Sequence, residues 1–61
     1  MNSYLKTKAL INEMATTLYE TQQHIETCRN ELKKVTETDL DYIQEQCDTI
    51  AINLLNIEGN Q

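Results

Sequence analysis

Ile11, Met14, Leu18, Thr21, Ile25, Cys28, Leu32 and Val35 follow one another at alternating intervals of three and four residues, a heptad a/d pattern held without a slip. The pattern extends back to Tyr4, with Thr7 as a polar member. A second run, Leu40, Ile43, Cys47, Ile50, Leu54 and Ile57, keeps the same alternation. This period belongs to helices and not to strands, whose side chains repeat every second residue. There is no proline, and the single glycine stands at position 59, so backbone chemistry alone breaks neither run.

The two runs are out of phase. After Val35 the first repeat requires an apolar residue at position 39, but that residue is aspartate, and Leu40 arrives one position late. A continuous coiled coil could absorb such a skip, so the local charges decide. Lys33 and Lys34 complement the negative end of a finishing helix, whereas Glu37, Asp39 and Asp41 suit the positive end of a starting one. Thr38 with Asp41 gives a T-x-x-D capping box. At the chain ends, Asn2 or Ser3 can cap the first helix, and Gly59 followed by Asn60 reads as a left-handed stop. The expected fold is all-α, a single antiparallel helical hairpin over residues 1–61. Helix 1 covers about 3–35, the turn about 36–38 and helix 2 about 39–58.

Reversal at that turn pairs Val35 with Leu40, Leu32 with Ile43, Cys28 with Cys47, Ile25 with Ile50, Thr21 with Leu54 and Leu18 with Ile57. Helix 1 would then be roughly 48 Å long and helix 2 about 28 Å, at 1.5 Å per residue. Residues 4–17 overhang in this arrangement, exposing Tyr4, Leu5, Leu10, Ile11 and Met14 next to Leu18. A 61-residue chain whose only aromatics are three tyrosines buries little core by itself. The expectation is a homodimer, a four-helix bundle or coiled coil, with Tyr4, Leu5, Leu10, Ile11, Met14 and Leu18 in its interface.

Charge constrains the other partners. The net charge is -5, and residues 1–35 hold all five bases while residues 36–61 hold six acids and no base. An acidic second half repels phosphate backbones and anionic lipid, so nucleic acid and membrane are not expected as partners, and a larger protein with a basic surface is. Asp41, Tyr42, Glu45, Asp48, Ile52 and Leu55 are the expected contact residues, the acids for steering and the apolar groups for adhesion. No apolar run reaches membrane-spanning length, and MNSYLKTKALINEM lacks the apolar core of a signal peptide, which suggests the cytoplasm.

Sites for chemistry are sparse. His24 and Cys28 lie four apart on one helical face with Cys47 expected opposite, a possible set of soft-metal ligands or, for the cysteines, a disulfide. The plainer reading makes both cysteines small core hydrophobes and His24 a flanking residue. Tyr19 and Tyr42 fall beside the seam, as interface anchors or as shields of the core rim. A two-helix hairpin offers no dry concavity for acid and base catalysis. The resulting expectation is a non-enzymatic regulator or inhibitor without cofactor or metal. Its small size and lack of catalytic equipment suit a phage- or plasmid-encoded protein.

Two resemblances give readings of other classes. Ile25 to Leu32, followed by the turn and Gln44-Glu45-Gln46-Cys47-Asp48, resembles the sporulation-type aspartyl-phosphate phosphatases, whose second helix carries S-Q-E-L-D. Only Asp48 carries over from that motif, because the serine is missing. In length and architecture the chain also resembles the Rop-type plasmid copy-control hairpin dimer, which implies RNA binding through basic residues such as Lys6, Lys8, Arg29, Lys33 and Lys34.

Overall fold

The computed structural model describes residues Ser3 to Gly59, which form two helices, α1 (Ser3–Asn30) and α2 (Glu37–Gly59), joined through a 3-10 turn at Leu32–Lys34. The helices pack on each other as a hairpin of 49 × 15 × 11 Å. The hairpin stands, but its turn comes earlier than the heptads predict, since α1 stops at Asn30 and not near Val35. Glu31 leaves the helix at φ -129°, ψ 53°. Its N–H is shared between the carbonyls of Thr27 at 3.1 Å and Cys28 at 3.3 Å, a common way to finish a helix without glycine. Lys34 pairs with Glu31 at 3.3 Å, and with Arg29 and Lys33 it sets positive charge at the carbonyl end of α1.

The start of α2 also moves. Thr36, not Thr38, is the cap. Its Oγ1 accepts the Asp39 N–H at 3.4 Å, while Asp39 Oδ2 accepts the Thr36 N–H at 2.9 Å and the Thr36 hydroxyl at 3.2 Å. The segment Thr36-Glu37-Thr38-Asp39-Leu40-Asp41 contains two overlapping T-x-x-D boxes. The chain uses the first, because its aspartate is also the one His24 of α1 can reach, at 2.9 Å. Val35 is extended and takes the position before the cap, from which a side chain can staple to Leu40.

These shifts change the register. α1 has 28 residues and α2 has 23, about 42 and 34 Å at 1.5 Å per residue. The expected overhang of residues 4–17 is therefore not present. Glu13 meets Asn53, and Lys6 and Leu10 share a shallow cleft with Leu55, Asn56 and Gly59.

Each helix is also rolled by about one residue from the predicted seam. On α1 the line Met14, Thr21, Cys28 faces α2 as expected, but its companion line is Leu10, Thr17, His24 and not Ile11, Leu18, Ile25. On α2 the line Ile43, Ile50, Ile57 faces inward, accompanied by Asp39, Gln46, Asn53 and not by Leu40, Cys47, Leu54; of these six, only Gln46 lacks a partner bond to α1 or a place in the aliphatic set. The roll joins His24 to Asp39 and Asn53 to Glu13, so polar groups brought between the helices are satisfied. Gly59 is still helical and takes no positive φ. Ser3 is the first helical residue, and the expected roles of Asn2 and Asn60 lie outside the described residues.

Candidate functional site

At the turn end, three potential ligand groups converge. His24 and Cys28 are one helical turn apart on α1, and Asp39 enters from the first turn of α2. One ligand atom from each lies within 4.8 Å of the other two. His24 Nε2 is 2.9 Å from Asp39 Oδ1, and the imidazole packs on the Tyr42 ring with centroids 4.6 Å apart and planes tilted by 41°. Tyr42 in turn accepts a hydrogen bond from Gln46 Nε2 at 3.2 Å.

The electrostatics follow from these contacts. The Thr36 N–H holds the Asp39 carboxyl below its ordinary range, partial desolvation opposes this, and the bonds from His24 and the Thr36 hydroxyl add to the lowering. The Cys28 thiol is pushed up, first by desolvation and then by the neighbouring Asp39 charge.

Farther along, the seam stays polar. Thr17, Thr21 and Asn53 are buried, and Ile57 is the one buried hydrophobe among the described residues. Thr21 donates its hydroxyl to the Thr17 carbonyl at 2.6 Å, and Asn53 Nδ2 donates to Glu13 Oε1 at 2.9 Å. Of these polar seam residues the heptad pattern includes Thr21 but neither Thr17 nor Asn53. Their signal was present, since Leu10, Met14, Thr17, Thr21, His24 and Cys28 also alternate by three and four, but hydrophobicity favoured the neighbouring line.

What the roll leaves outside is aliphatic. Ile11, Leu18 and Ile25 are exposed at steps of seven along α1, Leu32 is exposed in the turn that follows, and Leu40, Cys47 and Leu54 are exposed at steps of seven along α2. Leu18, Ile25, Cys47 and Ile50 line one open groove between the helices on that side. Of the residues expected in a dimer interface, Tyr4, Leu5, Ile11 and Leu18 are exposed, whereas Leu10 and Met14 are half-buried toward α2.

The expected partner surface divides too. Asp41, Glu45 and Asp48 are exposed, as are Ile52 and Leu55. Asp48 accepts a hydrogen bond from Gln44 at 2.9 Å. Tyr42 is turned inward onto His24 and so departs from that surface. Cys47 does not face Cys28. Both thiols are free, and the place expected for Cys47 beside His24 and Cys28 is taken by Asp39, because the turn falls earlier.

Among the described residues, no helix is long and apolar enough to cross a membrane. The chain matches no family model, no curated protein and no solved structure.

Proposed function

We propose that this chain is a small, non-enzymatic interaction protein that pairs with a second copy of itself and acts as a regulator or inhibitor by covering a basic surface on a larger protein. The observation that carries the reading is the exposed aliphatic set Ile11, Leu18, Ile25, Leu32, Leu40 and Leu54, of which Leu18 and Ile25 share one open groove between the helices with Cys47 and Ile50. These six side chains are each about half exposed or more. At about 1.5 to 3 kcal/mol for fully burying a large aliphatic side chain, covering them would release on the order of 5 to 9 kcal/mol per chain. The seven-residue spacing on both helices matches what a four-helix bundle or coiled coil requires of a seam.

A second copy suits the stripe for an electrostatic reason as well. The bases belong to α1 and its end, and α2 carries acids alone. In a bundle of two hairpins, each α1 can flank the partner copy's α2, so opposite charges border the shared core. Once the stripe is covered, Asp41, Glu45 and Asp48 remain as an acidic outer face suited to a basic partner.

Sedimentation tests the pairing. The wild type should run as a dimer at micromolar concentration, and Leu18→Asp should shift it to monomer or unfold it. Because Leu18 is 54% exposed within one hairpin, a protein that works as a monomer would tolerate that change. A well-folded wild-type monomer would sink the proposal. For the regulatory half, reversal of Asp41, Glu45 and Asp48 to lysine should leave the dimer folded and abolish capture of the natural partner, and unchanged capture would remove the acidic face from the function.

A further inference from the structure

We propose that His24, Cys28 and Asp39 form a binding site for one zinc-like divalent cation per chain, closing the turn end of the hairpin. The three side chains come from two helices and meet only because the chain reverses at Glu31 to Thr36. Around tetrahedral zinc, with bonds of about 2.0 to 2.3 Å, neighbouring ligand atoms lie roughly 3 to 4 Å apart. The observed set, all within 4.8 Å, needs only a small contraction by side-chain rotation. One imidazole, one thiolate and one carboxylate make a mixed donor set that favours zinc or cobalt over calcium or magnesium, which take oxygen alone.

The surroundings already hold the ligands in place. Asp39 uses Oδ2 for the Thr36 N–H and hydroxyl, which leaves Oδ1 toward the site. The Tyr42 ring restricts the His24 imidazole. Such outer contacts orient metal ligands. Glu31 lines the same cleft as the three, so the fourth position can be filled by its carboxylate or by water.

On binding, the Cys28 S–H bond breaks and its proton leaves to solvent, metal bonds to sulfur and to a His24 nitrogen form, and the Nε2 to Oδ1 hydrogen bond gives way to a bond from Asp39 to the same ion. No electron is transferred. The ion then fastens α1 to α2 in a chain whose inter-helix seam buries a single hydrophobe among the described residues, so metal affinity becomes hairpin stability.

Cobalt(II) added to the reduced full-length chain provides the test. One equivalent per chain should produce a thiolate-to-metal charge-transfer band and the visible bands of tetrahedral cobalt, and zinc should displace it. Cys28→Ser should abolish the charge-transfer band. His24→Gln should weaken binding by more than the roughly 10- to 100-fold that loss of an outer-shell partner costs, while Cys47→Ser should bind as the wild type does. Zinc should raise the melting temperature of the wild type and of Cys47→Ser, but not of Cys28→Ser. Absence of the charge-transfer band in the wild type overturns the proposal. So does a band that survives Cys28→Ser and disappears with Cys47→Ser.

Discussion

Thr17 and Leu18 are neighbours in sequence, about 100° apart around α1, and differ sharply in burial. The threonine is 8% exposed between the helices, and the leucine is 54% exposed on the outside. The same contrast runs the length of the hairpin. Its inner seam is held by specific polar bonds, His24 to Asp39 and Asn53 to Glu13, while its outer stripe is aliphatic. Polar bonds across a seam specify one register at modest net stability, because each replaces a bond to water. Aliphatic contact gives more energy and little direction. The inner seam thus sets how the chain folds back, and the outer stripe sets how strongly the folded hairpin adheres to something else.

The most severe way to break this contrast is Ile25→Asp. Ile25 is 45% exposed within the hairpin, so a free monomer would lose little by the change. In a bundle of two hairpins it should cost more than about 3 kcal/mol, as other losses of a core aliphatic side chain do, with an unpaired charge added. Denaturation midpoints measured across protein concentration check both parts, since a dimer's midpoint rises with concentration and that of the variant should not.

The inner seam should respond less. Asn53→Ala removes the donor to Glu13 at a buried position, and an expected loss of about 1 to 2 kcal/mol follows from a hydrogen bond to a charged acceptor. Urea unfolding of the variant beside the wild type would measure it. An equal or larger loss than that of Ile25→Asp would mean that the inner seam, and not the outer stripe, carries most of the stability.

Much of the fold was legible in the sequence, and the errors share a cause. The periodicity identifies both helices, and the charges of Lys33, Lys34, Glu37 and Asp39 locate the reversal to within a few residues. What periodicity cannot do is choose between adjacent lines on one helix. Met14, Thr21 and Cys28 belong to two overlapping seams, one completed by Ile11, Leu18 and Ile25, the other by Leu10, Thr17 and His24. Hydrophobicity points to the first, while polar pairing across the hairpin selects the second. The same ambiguity recurs in the two T-x-x-D boxes, and the position of the turn moved the candidate site. With α1 ending five residues earlier and α2 starting two earlier, Cys28 meets Asp39 in place of Cys47, a juxtaposition that sequence spacing alone does not show.

The two capping boxes can be separated directly. Thr36→Ala removes the cap that the chain uses and should cost about 1 kcal/mol. Thr38→Ala changes an exposed residue inside the first turn of α2 and should stay within about 0.5 kcal/mol. If thermal unfolding reverses that order, the reversal lies nearer Thr38, and the convergence of His24, Cys28 and Asp39 goes with it.

The smallest expected effect concerns pH at that same convergence. The groups facing the Asp39 carboxyl are the Thr36 N–H and hydroxyl, His24 and Cys28 from α1, and Glu31 and Lys34 in the shared cleft. Because the Thr36 N–H, with help from His24, depresses the folded-state pKa, the folded chain binds a proton at Asp39 less readily than the unfolded chain does. The contribution is therefore fully present above the ordinary aspartate value of about 3.9 and is lost as pH falls through the lower, folded value. Other carboxylates titrate in this range as well, so the informative quantity is the difference between wild type and Asp39→Asn. That difference in melting temperature should shrink as the pH falls from about 5 toward about 2. A difference that grows on acidification would mean that protonated Asp39 is the better-held form, and that Thr36 does not cap α2 through this carboxylate.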